Sequence, residues 1–148
     1  MTRPLYADSK GFIWVGTKAD GLNRYDKRTG NFKVFTTDDG LPSDFILSIE
    51  EDLSGNIWLG TYNGLSKYNP ETNTFTNFNK NYGLQGNIFQ IGLSGRLSDG
   101  YLIFGGYNGI NIFHPDSIGK IQKKSSLIIN SVKVYDHEIL RDISTPQV

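Results

Sequence analysis

The sequence predicts an all-β chain built from short antiparallel sheets placed one after another, and three observations predict it. The chain repeats itself. Asp8 and Gly11 match Asp52 and Gly55, Ile13-Trp14 matches Ile57-Trp58, and Gly16-Thr17 matches Gly60-Thr61. After one dropped residue Gly21-Leu22 falls on Gly64-Leu65, Phe32 and Phe35 on Phe75 and Phe78, and Gly40-Leu41 on Gly83-Leu84. A period of about 40–50 residues made of short strands is the signature of a blade array. The composition agrees, because Asn, Gly, Tyr and Phe are plentiful and Ala is scarce, which favours strands and tight turns. The strongest strand-like runs, Phe12-Ile13-Trp14-Val15 and Ile57-Trp58-Leu59, do not alternate apolar with polar, so both of their faces must be covered. A sheet sandwiched between two similar sheets meets that demand. Four antiparallel strands per copy is the blade of a β-propeller.

Each element follows in order. The first blade spans residues 5–37, and Leu5-Tyr6-Ala7 aligns with Ile49-Glu50-Glu51 as the tail of an innermost strand. The second blade, residues 44–79, reads as strands over 45–50, 57–61, 65–69 and 74–78. Asp52-Leu53-Ser54-Gly55 turns its first strand into its second. Asn63-Gly64 turns the second into the third, as a hairpin pair in which both residues tolerate positive φ. Pro70-Glu71-Thr72-Asn73 makes the last turn, and residues 79–87 carry the chain onward. The third blade, residues 88–118, is marked by Asp99-Gly100, Gly105-Gly106-Tyr107-Asn108-Gly109 and Phe113-His114-Pro115, and it lacks a Phe-x-x-Phe fourth strand. Residues 119–126, with Lys120, Lys123 and Lys124, read as an exposed connector. Strand character resumes at Leu127-Ile128-Ile129 and Val132-Lys133-Val134-Tyr135. Trp14 and Trp58 are expected to pack between blades, since their neighbours are also apolar.

Composition excludes several functions. The formal net charge over 148 residues is zero, so there is no basic footprint for nucleic acid and no polybasic membrane patch. The absence of cysteine excludes disulfides, thiolate metal sites and a thiol nucleophile. No apolar run approaches the roughly 18 residues of a membrane span, and Met1–Gly11 lacks the apolar core of a secretory signal. Glu50, Glu51 and Asp52 form an acidic triplet, but neighbours on a strand point to opposite faces and do not flank one glycosidic bond. Asp52, like Asp8, starts an Asp-x-x-Gly turn in which its side chain can accept from backbone N–H groups. Asp38-Asp39-Gly40 and Asp20-Gly21 lack the ligand ladder of a calcium loop. His114 and His137 have no partner at metal-ligand spacing. No catalytic residue, metal or cofactor is therefore expected.

The motif string E-D-x-x-G-N-I-W-L-G-T-x-x-G-L-x-x-Y at residues 51–68, followed by F-x-x-F and G-L at residues 75–84, resembles the two-component regulator propeller repeat. GYLIFGGYNGINIFHPDSI at residues 100–118 resembles that family's last blade. SLIINSVKVYDHEI at residues 126–139 resembles the opening of the tyrosine-named (YYY) Ig-like domain that follows it, so residues 127–148 would begin a truncated β-sandwich. The resemblance implies the periplasmic sensor region of hybrid histidine kinases, mostly from gut Bacteroidetes, which respond to polysaccharide fragments. It implies an oligosaccharide ligand, a dimeric parent receptor, and a signal carried as a conformational bias toward a distant kinase. A closed propeller has about four to eight blades, and this chain has two near-complete ones and part of a third. It therefore reads as a piece of a receptor whose open faces need the remaining blades or self-association. Two other classes stay open: a propeller polysaccharide lyase or hydrolase, and a lectin-like propeller scaffold.

In a propeller the turns between second and third strands and the blade-to-blade connections emerge on one face. The ligand-contact candidates are therefore Tyr62 and Asn63, and Tyr107 and Asn108 one blade later. Lys18 and Asp20 in the first blade, and Asp39, Asp44, Tyr82, Gln85 and Asn87 in the connections, share that face. A sugar offers C–H faces for aromatic stacking and hydroxyls for amides and carboxylates. Asn63 and Asn108 are also ordinary hairpin residues, and tyrosines often pack on turns.

Overall fold

A computed structural model describes residues 3–119 together with two short strands at 132–134 and 137–139. The first sheet holds β1 (Leu5–Ala7), β2 (Phe12–Gly16), β3 (Leu22–Asp26) and β4 (Asn31–Phe35), hydrogen-bonded in that order. The second holds β5 (Ile46–Glu51), β6 (Ile57–Thr61), β7 (Gly64–Asn69) and β8 (Thr74–Phe78) in the same order. The third has three strands, β9 (Phe89–Arg96), β10 (Leu102–Gly106) and β11 (Gly109–Phe113), with β10 central. All neighbouring strands in these sheets are antiparallel. The strands β12 (Val132–Val134) and β13 (His137–Ile139) pair antiparallel as a separate ribbon. The expected connector lies, from Lys120 on, outside the described residues, as do most of residues 127–148.

The non-alternating strands behave as double-sided cover requires. Every residue of β6 is buried. Ile57 and Leu59 join Trp14, Leu22, Phe35 and Tyr68 in a core between the first and second sheets. Trp58, between them in sequence, points the other way and joins Leu47, Leu65, Phe78, Phe89, Leu102 and Phe104 between the second and third. Trp14 is 1% exposed and Trp58 0%, so both indoles are inter-blade packing residues. Trp14 stacks on Phe35 with centroids 6.0 Å apart and meets Tyr68 edge-on at 5.5 Å. Trp58 repeats the stack on Phe78 at 5.7 Å. The glycine after Trp-x is needed because the next blade's inner strand comes close. A Cβ on Gly60 would meet Phe89 Cβ at 3.1 Å and collide with the Ser48 hydroxyl.

The Asp-x-x-Gly turns do more than cap a backbone. Asp52 Oδ1 accepts from the N–H groups of Ser54 and Asn56, both at 2.9 Å, and Oδ2 accepts from Trp58 Nε1 at 2.8 Å. Asp8 makes the matching set with Lys10, Phe12 and Trp14 Nε1, the last at 2.7 Å. The carboxylate thus fixes the turn and satisfies an indole N–H that is out of reach of water. Glu51 is also occupied: its carboxylate, 3% exposed, accepts from the Ser9 N–H at 2.9 Å and the Ser9 hydroxyl at 2.6 Å, tying the second blade to the first.

The β6–β7 hairpin differs from the expected one. Thr61 pairs with Gly64, so the loop residues are Tyr62 and Asn63, and positive φ falls on Gly64 (102°) while Asn63 stays outside the left-handed region. The reason is a side-chain staple. Thr61 Oγ1 donates to the Gly64 carbonyl at 2.8 Å and accepts from the Asn63 N–H at 3.0 Å, which holds the turn without two consecutive left-handed residues. Among the described residues Asn73 is the one non-glycine residue at positive φ, 55°, in the β7–β8 turn.

Candidate functional site

The β2–β3, β6–β7 and β10–β11 turns lie at the same end of their sheets as the two blade-to-blade connections, and hydrogen bonds lock the two kinds of loop together. The Gly21 N–H donates to the Asp44 carbonyl at 3.1 Å, and the Tyr62 N–H to the Phe45 carbonyl at 3.1 Å. The Gly64 N–H reaches the Asn87 carbonyl at 2.6 Å. Asn63 Nδ2 donates to the Pro42 carbonyl at 3.2 Å, and the Asn108 N–H to Gln85 Oε1 at 2.9 Å. Each turn is thus bonded to the connection beside it.

The same bonds decide which side chains are available. Each connection opens with a short 3-10 turn, Thr37–Asp39 or Lys80–Tyr82, closed by a left-handed glycine, Gly40 or Gly83. Asp39 accepts from the Thr36 N–H at 2.9 Å and Asp44 from the Thr37 N–H at 2.7 Å. Asn87 Oδ1 accepts from the Lys80 N–H at 2.9 Å, so it plays the part in the second connection that Asp44 plays in the first. Gln85 is held at both ends, its N–H on Asn111 Oδ1 at 2.9 Å and its side chain on Asn108. Asp39, Asp44, Gln85 and Asn87 therefore shape the loops. Lys18 and Asp20 are exposed at the first turn. The tyrosines form the apolar part of the face. Tyr62 is 53% exposed and tilts on Phe45 with centroids 5.4 Å apart. Tyr82 meets Phe78 edge-on at 5.5 Å, and Tyr107 is 70% exposed. Tyr62 and Tyr82, anchored on one side and open on the other, and the exposed Tyr107 suit stacking against a flat, partly apolar ligand.

The opposite end carries charge. An open depression of about 480 Å³ lies beside the β1–β2 and β3–β4 turns, lined by Lys10, Gly11, Phe12, Asp26, Lys27 and Arg28. The Arg28 N–H and side chain hold the Asp26 carboxyl below its usual range. Burial, and after it the charge of Glu50, pushes the Tyr6 phenol up to about 12. Burial also raises the Tyr68 phenol. Among the described residues no group of three His, Asp or Glu side chains is placed to hold a metal ion, and no helix is long and apolar enough to cross a membrane. The cross-loop bonds and the indole-binding role of Asp8 and Asp52 are what sequence reasoning missed. The Asp-to-Trp spacing, equal in both copies, was the available signal for the second.

Residues 40–63, from the end of the first connection through the Asp-Trp turn to Asn63, match the family model for the two component regulator propeller. The chain is 46% identical over 123 residues to histidine kinase P4 of Formosa agariphila, covering 83% of this chain and 9% of that protein. It superposes on a crystal structure of the extracellular domain assigned to the hybrid two component system BT3049 of B. thetaiotaomicron with a TM-score of 0.72. Identity there is 33%, over 76% of this chain and 15% of that one. These sheets are propeller blades. The propeller is shared even by a virginiamycin B lyase from Staphylococcus aureus, at 16% identity and a TM-score of 0.59 over 77% of this chain and 38% of that one, a likeness of fold alone. The chain thus spans only about a tenth of the curated relative it matches.

Proposed function

We infer that this chain is a ligand-sensing part of the extracellular propeller of a hybrid two-component histidine kinase, and that its ligand is an oligosaccharide. The observation that carries the reading is the combination of a 33% identical structural match to such an extracellular domain with a loop face that presents open tyrosine rings. Tyr62 and Tyr107 would stack on sugar C–H faces, and Asn63 and Asn108 would offer the amide edges left over from their loop bonds. The chain itself would perform no chemistry: Glu51 and Asp52 are occupied by Ser9 and by the Asp52 turn with its indole. Phosphoryl transfer would belong to the kinase region of the parent receptor. On this reading the face would lie in the periplasm, residues 127–148 would open an Ig-like domain, and the parent receptor would be dimeric.

The test is isothermal titration of the chain, and of a complete receptor carrying it, with a panel of defined oligosaccharides, comparing Tyr62→Ala and Tyr107→Ala with the unaltered protein. Each ring is expected to contribute at least about 1 kcal/mol, or roughly a five- to tenfold loss of affinity per substitution. An oligosaccharide that binds the receptor with affinity unchanged by both substitutions would move the site to other blades. A receptor whose reporter output responds to no oligosaccharide would overturn the ligand class.

A further inference from the structure

The chain contains two nearly identical tetrapeptides, Tyr62-Asn63-Gly64-Leu65 and Tyr107-Asn108-Gly109-Ile110, at equivalent hairpins. The fold treats them differently. In the second blade the Thr61 hydroxyl clamps the turn from both sides, on the Asn63 N–H and the Gly64 carbonyl. The Gly64 N–H is itself engaged, donating to the Asn87 carbonyl at 2.6 Å, and a Cβ at Gly64 would run into the Phe78 carbonyl. Asn63 Nδ2 is bonded across to Pro42. In the third blade Gly106 stands where Thr61 stands, so the hydroxyl clamp on the glycine carbonyl is gone, and the Asn108 N–H donates instead to the Gln85 side chain at 2.9 Å. Among the described residues no loop carbonyl takes the place of that of Asn87 at Gly109, and a Cβ on Gly109 would meet nothing within 4 Å. The Asn108 side chain keeps only a long bond, 3.4 Å, to the Gln85 carbonyl.

An asparagine followed by glycine can cyclise when the glycine nitrogen reaches the side-chain carbonyl carbon, and freedom of the turn is what permits that approach. The geometry points to Asn108-Gly109 as a site of spontaneous covalent modification, with Asn63-Gly64 protected by its clamp. A bond forms between Gly109 N and Asn108 Cγ. The Gly109 amide proton and the side-chain NH2 leave as ammonia, and a five-membered succinimide remains. Water then opens the ring. Breaking the bond from nitrogen to Cγ gives aspartate with the backbone restored. Breaking the bond from nitrogen to the main-chain carbonyl carbon gives isoaspartate, with the backbone rerouted through the side chain. No oxidant, enzyme or cofactor is needed. Either product puts a carboxylate beside Tyr107, on the loop face that otherwise carries amides there.

The experiment incubates the folded chain at mildly alkaline pH, digests samples over time, and follows amide-to-acid conversion and isoaspartate in the two peptides by mass spectrometry. The same incubation in concentrated urea supplies an internal control, because the flanking residues are nearly the same. The expected result is similar conversion of both sites in urea and, in the folded chain, conversion at Asn108 about tenfold or more faster than at Asn63. Tenfold corresponds to about 1.4 kcal/mol of barrier, the size of roughly one net hydrogen bond. Thr61→Val, which keeps the shape and removes the clamp, should speed conversion at Asn63 while leaving Asn108 unchanged. Equal rates in the folded chain, or the same disparity in urea, would overturn the proposal.

Discussion

Replacing Asp52 by alanine tests the central claim about how these blades are built. Asp52 is 2% exposed and accepts from the N–H groups of Ser54 and Asn56 and from Trp58 Nε1, with Asn56 Nδ2 as a further donor at 2.9 Å. Alanine removes all four acceptor contacts. Two of the stranded N–H groups, those of Ser54 and Asn56, sit in a part-buried turn where water can replace much of what is lost. The third belongs to an indole that is fully buried between sheets, and an unsatisfied buried donor costs about 1–3 kcal/mol. Allowing about 1 kcal/mol more for the loosened turn, the loss should be about 3 kcal/mol. Asp8 makes three of the four contacts, lacking the side-chain amide donor, from a half-buried position, so Asp8→Ala should cost about half as much. Urea unfolding followed by tryptophan fluorescence measures both, read as a shift of midpoint at constant slope. Trp58→Phe removes the indole N–H and keeps an aromatic ring. In that background Asp52→Ala should cost less by at least about 1 kcal/mol, the coupling expected for groups in direct contact. If Asp52→Ala falls within about 0.5 kcal/mol of the parent, as for an ordinary surface substitution, or if no coupling to Trp58 is found, the carboxylate is only a turn residue and the reasoning fails.

Three further outcomes follow from the same structure. Gly60→Ala forces a Cβ onto Ser48 and Phe89 and should destabilise by about 1–3 kcal/mol, measurable by thermal unfolding. Because the Tyr6 phenol is raised to about 12 from 10.0, the folded state holds its proton more tightly than the unfolded one. Its contribution is then whole below pH 10 and lost as pH climbs from 10 toward 12, and Tyr6→Phe should flatten the alkaline limb of a stability-against-pH curve. The outer face of the third sheet exposes Leu93, Ile110 and Ile112, and that of the first exposes Leu5, Phe32 and Val34. Apolar faces of that kind favour association, so light scattering should show concentration-dependent self-association that Ile110→Lys with Ile112→Lys reduces. A strictly monomeric parent chain at all concentrations would contradict it.

Much of the fold was legible because the repeat writes the same physics twice. Ile57-Trp58-Leu59 announced two covered faces, and the structure sends Trp58 one way and its neighbours the other. The Asp-x-x-Gly turn was legible as a turn, since its partners lie two and four residues away. Its grip on the indole was not, because only the folded sheet brings residue i+6 back over the carboxylate. The hairpin was placed one residue late: Asn-Gly suggested a left-handed pair, whereas Thr61, two residues upstream, sets the turn. The loop face was legible as a set of positions. Which of its polar groups are already engaged depends on contacts such as Asn63 to Pro42, 21 residues apart, that no local pattern displays.

The link from Glu51 to Ser9 has a mechanical meaning. Two greasy sheets in contact have little to choose between small slips and tilts, because dispersion and water exclusion lack direction. A carboxylate sealed from water, holding two donors of the next sheet, has one good setting and a steep penalty elsewhere. Ser94 on the Ile49 carbonyl and Arg96 on the Glu51 carbonyl fasten the third sheet to the same end of the second. At the loop end the ties are between neutral groups: the Gly21 N–H on the Asp44 carbonyl, the Ile46 N–H on the Thr17 carbonyl and the Gly64 N–H on the Asn87 carbonyl, with Asn63 on Pro42 open to solvent. The three sheets are therefore fastened at both ends, by a buried carboxylate and its donors away from the loops and by neutral bonds beside the tyrosines.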